Sequence, residues 1–173
     1  MSPPPFLHCY HCGHAPLEVV SARQCRCPQC GRSQFVTPTP AAVAVVLDAQ
    51  DRLLLMRRAH EPALGKLGLP GGVIEPMEPA EAACARELRE ETGLDLPATA
   101  FRYLGTWCNE YLFQGYVWPT LDIVFVARTA DFTAAHAADG EASEIVALPL
   151  KQIDLETLAF PTHAAAIRQV MAT

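Results

Sequence analysis

Three glutamates near the middle of the chain have the spacing to share one face of a helix. Glu87, Glu90 and Glu91 belong to the segment 72–94, which holds six glutamates and two arginines. At about 100° per residue, the three side chains fall within an arc of roughly 100°. Because neighbouring like charges repel one another, such a face is either solvated or holds a cation. Carboxylate oxygens are the ligands that Mg²⁺ or Mn²⁺ prefers.

A glycine turn precedes this helix. The segment LPGGVIE places Gly71 next to Gly72, and adjacent glycines give the backbone a freedom that side chains would deny it. Arg86 lies within reach of Glu78 or another carboxylate and can hold it in one orientation. The turn and the helix together therefore favour a cation site over a plain solvated surface.

A second group of potential metal ligands lies near the N-terminus. Two CxxCG units, Cys9-x-x-Cys12-Gly and Cys27-x-x-Cys30-Gly, supply four thiolates, which is the ligand set of a structural Zn²⁺ site. A closed four-cysteine site leaves no position for a substrate, so the motif predicts stability rather than catalysis. A segment of about 35 residues buries too little surface to fold alone, and the metal would supply its folding energy.

The neighbouring cysteine and histidines leave other ligand choices open. Cys25 could replace Cys27, although the CPxCG spacing favours Cys27. His8, His11 and His14 are close enough in sequence to be ligands, but polar surface positions are the simpler interpretation. One CxxC alone could also be a redox pair, an interpretation that two units with matching glycines disfavour.

The composition favours one ordinary globular domain with a small appendage. The chain has 173 residues, half of them hydrophobic, and a formal net charge of −6. An acidic balance argues against a general nucleic-acid-binding surface. No stretch approaches the ~20 apolar residues of a membrane span, and the start does not resemble a secretory signal. We therefore expect a cytoplasmic protein whose cysteines are not a disulfide framework.

The elements that must position these residues form a mixed α/β domain behind a stiff linker. The TPTP run at 37–40 marks the boundary, which gives a zinc ribbon over 1–37 and a second domain over 38–173. A helix is predicted over 79–92, with Gly93 as its left-handed cap. The predicted strands are 41–48, 52–58, 101–107, 120–129 and 144–150, and one or two short helices follow them.

The segment 72–94 resembles the signature of the Nudix hydrolases. That signature is a glycine, five residues, a glutamate, seven residues, and then Arg-Glu-aliphatic-x-Glu-Glu-x-Gly-aliphatic. Every fixed position is filled, by Gly72, Glu78, Arg86, Glu87, Leu88, Glu90, Glu91, Gly93 and Leu94. The preceding cysteine units are similar to those of a subset that includes NADH pyrophosphatases and ADP-ribose or FAD pyrophosphatases. The resemblance implies an α/β/α sandwich around a mixed sheet.

The resemblance also implies roles for individual residues. The implied ligands of Mg²⁺ or Mn²⁺ are three carboxylates and one main-chain carbonyl, those of Glu87, Glu90, Glu91 and Gly71. One of these three glutamates, called the box glutamates below, would be the general base. Some family members use a glutamate on a later loop instead, which makes Glu144 a second candidate, with Glu141 beside it.

Other residues near these motifs could contact a substrate. Arg57 and Arg58 flank the glycine turn and could pair with substrate phosphates, or be plain surface charge. Trp118 belongs to an aromatic-rich stretch over 111–118. It could stack on adenine or flavin, or pack within a hairpin.

The implied activity is Mg²⁺-dependent hydrolysis of a nucleoside diphosphate linked to another group. FAD or ADP-ribose is the favoured substrate, giving AMP and a phosphorylated product, because LETLAFPTH at 155–163 is similar to the end of plant plastid FAD/ADP-ribose pyrophosphatases. The SQPWPFP-like motif of NADH pyrophosphatases is absent from 95–120. The alternatives are an NADH or NAD-capped RNA pyrophosphohydrolase, and a nucleotide-sensing or nucleic-acid-binding regulator. A homodimer is the family expectation, and nucleic acid is not an expected partner.

Overall fold

The computed structural model describes residues 6–138 and 140–172. They divide into two compact units: the residues up to Pro38 together with Gln114–Tyr116, and Thr39–Phe113 together with the residues from Val117 onward. The first unit holds both CxxCG motifs, and the second unit holds the glycine turn and the carboxylate helix segment. No helix in the described ranges has the length and apolar character needed to cross a membrane.

The first unit is built on a small antiparallel sheet. Its strands β1 (Glu18–Ser21), β2 (Gln24–Arg26) and β3 (Ser33–Phe35) pair in that order. The buried side chains among its described residues are three cysteines and one glutamine, Cys9, Cys25, Cys27 and Gln34. Because so little apolar surface is buried, hydrophobic packing alone cannot hold this unit together.

The second unit contains a mixed sheet of seven strands. They are β4 (Thr39–Leu47), β5 (Arg52–Arg58), β6 (Leu67–Gly68), β7 (Gly71–Val73), β8 (Arg102–Phe113), β9 (Tyr116–Arg128) and β10 (Ala142–Pro149). The main order is β10-β5-β4-β9-β8, with β6 paired to β5 and β7 paired to β4. Strands β4 and β9 run parallel, whereas β5 is antiparallel to both β10 and β4. The predicted mixed α/β class is confirmed.

Helix α1 (Ala80–Thr92) carries the three box glutamates. On its apolar face Cys84 and Leu88 are fully buried, in a cluster with Ala42, Ala44 and Val46 of β4. The helix ends where Gly93 adopts a left-handed conformation and donates a backbone hydrogen bond to the Arg89 carbonyl. The predicted helix and its cap are therefore confirmed.

Helix α2 (Pro161–Met171) covers the other face of the sheet. Ala166 and Ile167 are buried in a cluster with Val43, Val45 and the next odd-numbered residue of β4. Since successive strand residues point to opposite faces, the two helices lie on opposite sides of β4. The predicted α/β/α sandwich is confirmed.

Two details of the predicted elements are wrong. Strands β8 and β9 extend through most of the aromatic-rich stretch that separates the two shorter strands predicted, because that stretch forms a long hairpin. Thr39 and Pro40, assigned to the linker, already belong to β4, where they lie opposite Thr120 and Leu121 of β9. The first error comes from the length of the hairpin, and the second comes from pairing between β4 and the distant β9, which local composition does not report.

Candidate active site

The glycine turn, whose Gly71 and Gly72 begin strand β7, brings a main-chain group against a buried helix carboxylate. Gly71 has φ +148°, and a Cβ at this position would overlap the Ala42 carbonyl and Val43. The Gly71 N–H donates a hydrogen bond to Oε2 of Glu91 at 2.8 Å. The Glu91 side chain is 1% exposed. Only glycine fits this position, so the glycine is what allows the turn to reach Glu91.

Glu87 lies one turn earlier on α1 and faces the second glycine. A Cβ at Gly72 would come within 2.6 Å of the Glu87 carboxyl carbon, so glycine leaves the space that this carboxylate occupies. Burial raises the pKa of Glu87, and the charges of Glu90 and Glu141 act in the same direction while Arg86 opposes them. A divalent cation bound here would relieve that crowding of negative charge.

Arg86 links the helix carboxylates to Glu78, which lies two residues before the helix begins. Its Nε and Nη2 donate to the two carboxylate oxygens of Glu78, at 2.8 and 2.9 Å. Its Nη1 donates to Glu87 at 2.7 Å and to Glu90 at 3.0 Å. The hydrogen bonds from Arg86 lower the pKa of Glu78 to about 2. The prediction that Arg86 orients Glu78 is confirmed.

The box carboxylates do not surround a single point in this conformation. Among the described residues, the one group of three or more potential ligands with donor atoms within 4.8 Å of one another is the cysteine quartet. Arg86 Nη1 lies between Glu87 and Glu90 instead. The donor set still fits a divalent cation, because hard carboxylate oxygens outnumber the single guanidinium. Cation binding by Glu87 and Glu90 would therefore compete with Arg86.

The four cysteines of the CxxCG units do converge on one point. Cys9 Sγ lies 3.6 Å from Cys30 Sγ, and Cys12 Sγ lies 3.6 Å from Cys27 Sγ. Sulfurs bound to a tetrahedral Zn²⁺ at about 2.3 Å lie about 3.8 Å apart, so the observed spacing fits zinc. Cys25 is buried but does not belong to the group, and neither do the three nearby histidines.

The two CxxCG units form the same turn twice. Gly13 and Gly31 both have φ +72°, and their N–H groups donate to the carbonyls of Cys9 and Cys27, each at 2.9 Å. The thiols act on one another: a hydrogen bond from the backbone of Cys12 lowers the pKa of Cys9 to about 6, whereas a hydrogen bond from the backbone of His14 is outweighed by burial and the neighbouring thiols, which raise the pKa of Cys12 to about 12. Four thiolates this close together are stabilised when they share a cation. The four-cysteine cluster can therefore bind zinc as the ribbon motif predicts.

The arginines predicted to contact substrate have partners within the chain. Arg57 forms an ion pair with Glu144, with 2.8 Å between Nε and Oε2. Arg58 donates to the Pro62 carbonyl at 2.7 Å, and its guanidinium carbon lies 5.1 Å from the centre of the Phe160 ring. These contacts hold the loop that leads into the glycine turn. The substrate-binding role of both arginines stays a prediction.

The remaining predicted residues are spread along the sheet. Trp118 is half-buried in β9, and its stacking role stays a prediction. Glu144 lies in β10 opposite Arg57, which engages its carboxylate. Glu141, just before β10, adds its negative charge to the surroundings of Glu87. Of the two later glutamates, Glu141 is thus the one whose charge acts on the box.

Sequence reasoning missed two supports of this site. The imidazole of His163 in α2 accepts a hydrogen bond from the Leu69 N–H, just before the glycine pair. The loop after β9 caps the end of α1, where the His136 N–H donates to the Thr92 carbonyl at 2.9 Å. Both contacts join segments that are far apart in sequence, so no local motif announces them.

Comparison with family models decides the classification. The model described as the NUDIX domain matches residues 37–171. The chain belongs to the NUDIX family. The predicted membership is confirmed, and the glycine turn with its carboxylate helix is the Nudix box of this NUDIX chain.

Curated relatives of this NUDIX chain match it over its central part. The ADP-ribose pyrophosphatase of Methanocaldococcus jannaschii is 44% identical over 55 residues, which is 31% of this chain and 32% of that protein. The NAD-capped RNA hydrolase NudC of Stutzerimonas stutzeri is 32% identical over 88 residues, which is 51% of this chain and 31% of that protein. The chain thus spans about a third of the length of these relatives.

Solved structures of the NUDIX family share the fold. The NUDIX domain of Shewanella oneidensis NrtR, solved with ADP ribose, is 26% identical with a TM-score of 0.67, covering 80% of this chain and 89% of that one. A NUDIX hydrolase from Nitrosomonas europaea has a TM-score of 0.71 at 21% identity, covering 96% of this chain and 91% of that one. At that identity the second likeness concerns the fold alone.

Proposed function

We propose that this chain is a Mg²⁺-dependent pyrophosphohydrolase. It cleaves a nucleoside diphosphate linked to another moiety, with FAD or ADP-ribose favoured, to AMP and a phosphorylated product. The observation that carries the proposal is the Nudix box geometry, in which a glycine turn contacts Glu91 and faces Glu87 while Arg86 holds the neighbouring carboxylates.

Each residue of the box has a physical task in this proposal. Glu91 is buried and fixed by the Gly71 N–H, so its carboxylate keeps one position. Glu87 and Glu90 complete a carboxylate set with the Gly71 carbonyl, which together would hold Mg²⁺ or Mn²⁺. When bound, the cation neutralises pyrophosphate charge and acidifies the attacking water. Arg86 donates two hydrogen bonds to Glu78 and so fixes the backbone just before the helix begins.

The general base is proposed among the carboxylates near this box. A box glutamate is the first candidate, and Glu144 was the second candidate from the sequence. The ion pair with Arg57 counts against Glu144, and the charge of Glu141 helps to raise the pKa of Glu87, so we add Glu141 beside Glu144 as a candidate. Matched Glu141→Gln and Glu144→Gln variants separate the two candidates. Substitution of the general base should lower kcat and also remove the fall of kcat at low pH.

The substrate class is supported by two relatives. The Methanocaldococcus jannaschii relative is named an ADP-ribose pyrophosphatase, and the Shewanella oneidensis domain was solved with ADP ribose. FAD rests on the resemblance of the 155–163 segment alone. Binding of either substrate would place phosphates near the glycine turn, with Arg57, Arg58 and Trp118 as the proposed contacts.

A substrate panel with identified products tests the proposal. Purified protein with Mg²⁺ is given FAD, ADP-ribose or NADH, and the products are identified by mass spectrometry. We expect AMP with FMN from FAD, or AMP with ribose 5-phosphate from ADP-ribose, and slower turnover of NADH. No turnover of any nucleoside diphosphate derivative would overturn the proposal.

A second candidate is hydrolysis of NAD-capped RNA. It is favoured by the match to the Stutzerimonas stutzeri relative, which bears that name. The residues 1–40 also carry three arginines against one glutamate. RNA with a 5′ NAD cap therefore belongs in the same panel. Salt-dependent RNA binding without hydrolysis would instead favour a nucleic-acid-binding regulator.

The cysteine quartet is proposed to hold a structural Zn²⁺. Cys9, Cys12, Cys27 and Cys30 would supply its four ligands in a ribbon over 1–37, ahead of a hydrolase domain over 38–173. We expect a homodimer, which light scattering tests directly, and a cytoplasmic location.

A further inference from the structure

The glycine turn has a second anchor, on helix α2. The Leu69 N–H donates to Nδ1 of His163 at 3.0 Å, and both residues are buried. Two residues later, the Gly71 N–H donates to Glu91 at 2.8 Å. Between them, the Pro70 carbonyl accepts from the Ala44 N–H of β4 at 2.9 Å. Three consecutive residues of the turn are thus held by three different elements.

The imidazole is a constant acceptor in this position. Burial, with the charge of Arg58 acting the same way, lowers the pKa of His163 to about 3. The ring is therefore neutral at physiological pH. Since Nδ1 accepts the Leu69 N–H, the ring proton is on Nε2.

Helix α2 presents His163 from a well-anchored first turn. The hydroxyl of Thr162 donates to Oδ2 of Asp122 on β9 at 2.6 Å, and both side chains are buried. The Ala159 N–H donates to the Leu67 carbonyl at 2.7 Å. The imidazole is thus presented from a backbone that is itself fixed to β6 and β9.

We propose that His163 is a positioning residue for the carboxylate site: by holding the Leu69 N–H it sets where the Gly71 amide meets Glu91. This inference rests on the proposed function of the same site. His163 itself contacts the turn and not the carboxylates, so it acts through the turn. A buried acceptor that is lost leaves a buried N–H without a partner, which is costly and drives local rearrangement.

The competing view is that His163 only fills space and stabilises the core. The two views differ in what a substitution changes. A stabilising role lowers the melting temperature and leaves the folded site unaltered. A positioning role alters the turn and its cation affinity within the folded protein.

Three variants of His163 separate these views. In His163→Asn the side-chain oxygen takes nearly the place of Nδ1, in His163→Gln the same amide is one carbon further out, and in His163→Leu the acceptor is absent. Ile167→Val is the control, because it loosens the core packing of the same helix and leaves both the anchors of its first turn and the Leu69 contact in place. The full chain is used throughout.

The primary readouts need no turnover. Hydrogen exchange of the segment 67–73 reports the turn, and electron paramagnetic resonance of Mn²⁺ reports cation affinity without substrate. For His163→Leu and His163→Gln we expect about tenfold faster exchange and about tenfold weaker Mn²⁺ binding. For His163→Asn and Ile167→Val both values should stay within about twofold of wild type. Where a substrate is turned over, kcat should fall more than KM changes.

Hydrogen exchange and Mn²⁺ affinity test the positioning role of His163 independently of whether the protein hydrolyses a substrate. Unchanged exchange and Mn²⁺ affinity in a folded His163→Leu protein would overturn it. If that variant does not fold, equal behaviour of His163→Asn and His163→Gln would overturn it. If the substrate panel shows no hydrolysis while the Mn²⁺ affinities change as expected, the proposed function fails and the positioning role stands.

Discussion

The cysteine quartet and the box glutamates are both groups of anionic ligands, but the chain treats them in opposite ways. The four sulfurs lie within 4.8 Å of one another, on two turns of identical form. Two of the box glutamates are instead separated by Arg86, which bonds to both. The third, Glu91, is buried and held by a main-chain amide.

Under the proposed function, the contrast is that between a structural zinc site and a hydrolytic site. A structural zinc site gains stability by closing around its ion, so its ligands are brought to the bound spacing by their own turns. A hydrolytic site must admit cations together with a charged substrate. Here the Arg86 guanidinium offsets the negative charge of the carboxylates and competes with the cation for them. The carboxylates therefore keep a charged partner while no cation is bound.

Removal of zinc is the largest expected effect, and it should act on the first unit alone. Cys27→Ala removes a buried ligand of the quartet. We expect residues 6–35 to lose protection in hydrogen exchange, since apparent zinc binding energies of about 10–16 kcal/mol are folding energy in such ribbons. Exchange of the sheet in the second unit should be unchanged.

Cys25→Ala is the matched control for this experiment. Cys25 is equally buried but is not part of the quartet. This variant should keep one zinc per chain by elemental analysis. Retention of zinc and of protection by Cys27→Ala would show that the quartet is not the metal site.

Glu91→Gln is expected to have the next largest effect. The amide oxygen can still accept the Gly71 N–H, so the turn should remain in place. Loss of the charge should lower kcat about a thousandfold. The check is the rate with Mg²⁺ beside the melting curve followed by tryptophan fluorescence. Glu81→Gln, on the exposed side of the same helix, is the control.

A Glu91→Gln enzyme with activity within about twofold of wild type would remove Glu91 from the proposed mechanism. A large loss of stability with an equal loss of rate would assign Glu91 a structural role instead.

The two glycines of the turn should respond differently to the same added methyl group. At Gly72 a Cβ meets the flexible end of Glu87, so Gly72→Ala should displace that carboxylate and lower kcat about a hundredfold with little change in Tm. At Gly71 a Cβ meets the backbone of Ala42 and Val43, so Gly71→Ala should lower Tm as well. Rates and melting curves of both variants check this. Equal losses of Tm would contradict the assignment.

The box could be predicted from the sequence because its information is local. The helix is marked by its periodicity and by Gly93, and Glu78 lies only eight residues before its partner Arg86. The quartet is equally local, since each CxxCG unit makes its own turn. The parallel pairing of β4 with β9 joins segments about 80 residues apart, and no local pattern specifies it.

The parts of the site that sequence did not predict depend on side-chain conformation or on distant contacts. The prediction placed Arg86 near the carboxylates but not between Glu87 and Glu90, which is a matter of rotamer choice. The partner of Arg57 is Glu144, from a strand whose register is set by the whole sheet. For the same reason the contact of His163 with Leu69 becomes visible only in the fold.

The smallest expected effect concerns the pH dependence of the Arg86–Glu78 pair. Arg86 holds the pKa of Glu78 at about 2 in the folded chain, below its ordinary value of 4.5. A lowered folded pKa means that the pair contributes stability above about pH 4.5 and loses it as the pH falls toward 2. The Tm difference between wild type and Glu78→Gln should therefore be constant above pH 5 and shrink below it.

Both tryptophans, Trp107 and Trp118, lie in the second unit, so their fluorescence follows this unit even when acid releases zinc from the first. Glu110→Gln, at an exposed position of β8, is the control and should show no such change. A Tm difference that stays constant down to pH 2 would mean that Arg86 does not engage Glu78 in solution, and the start of the carboxylate helix would then need another anchor.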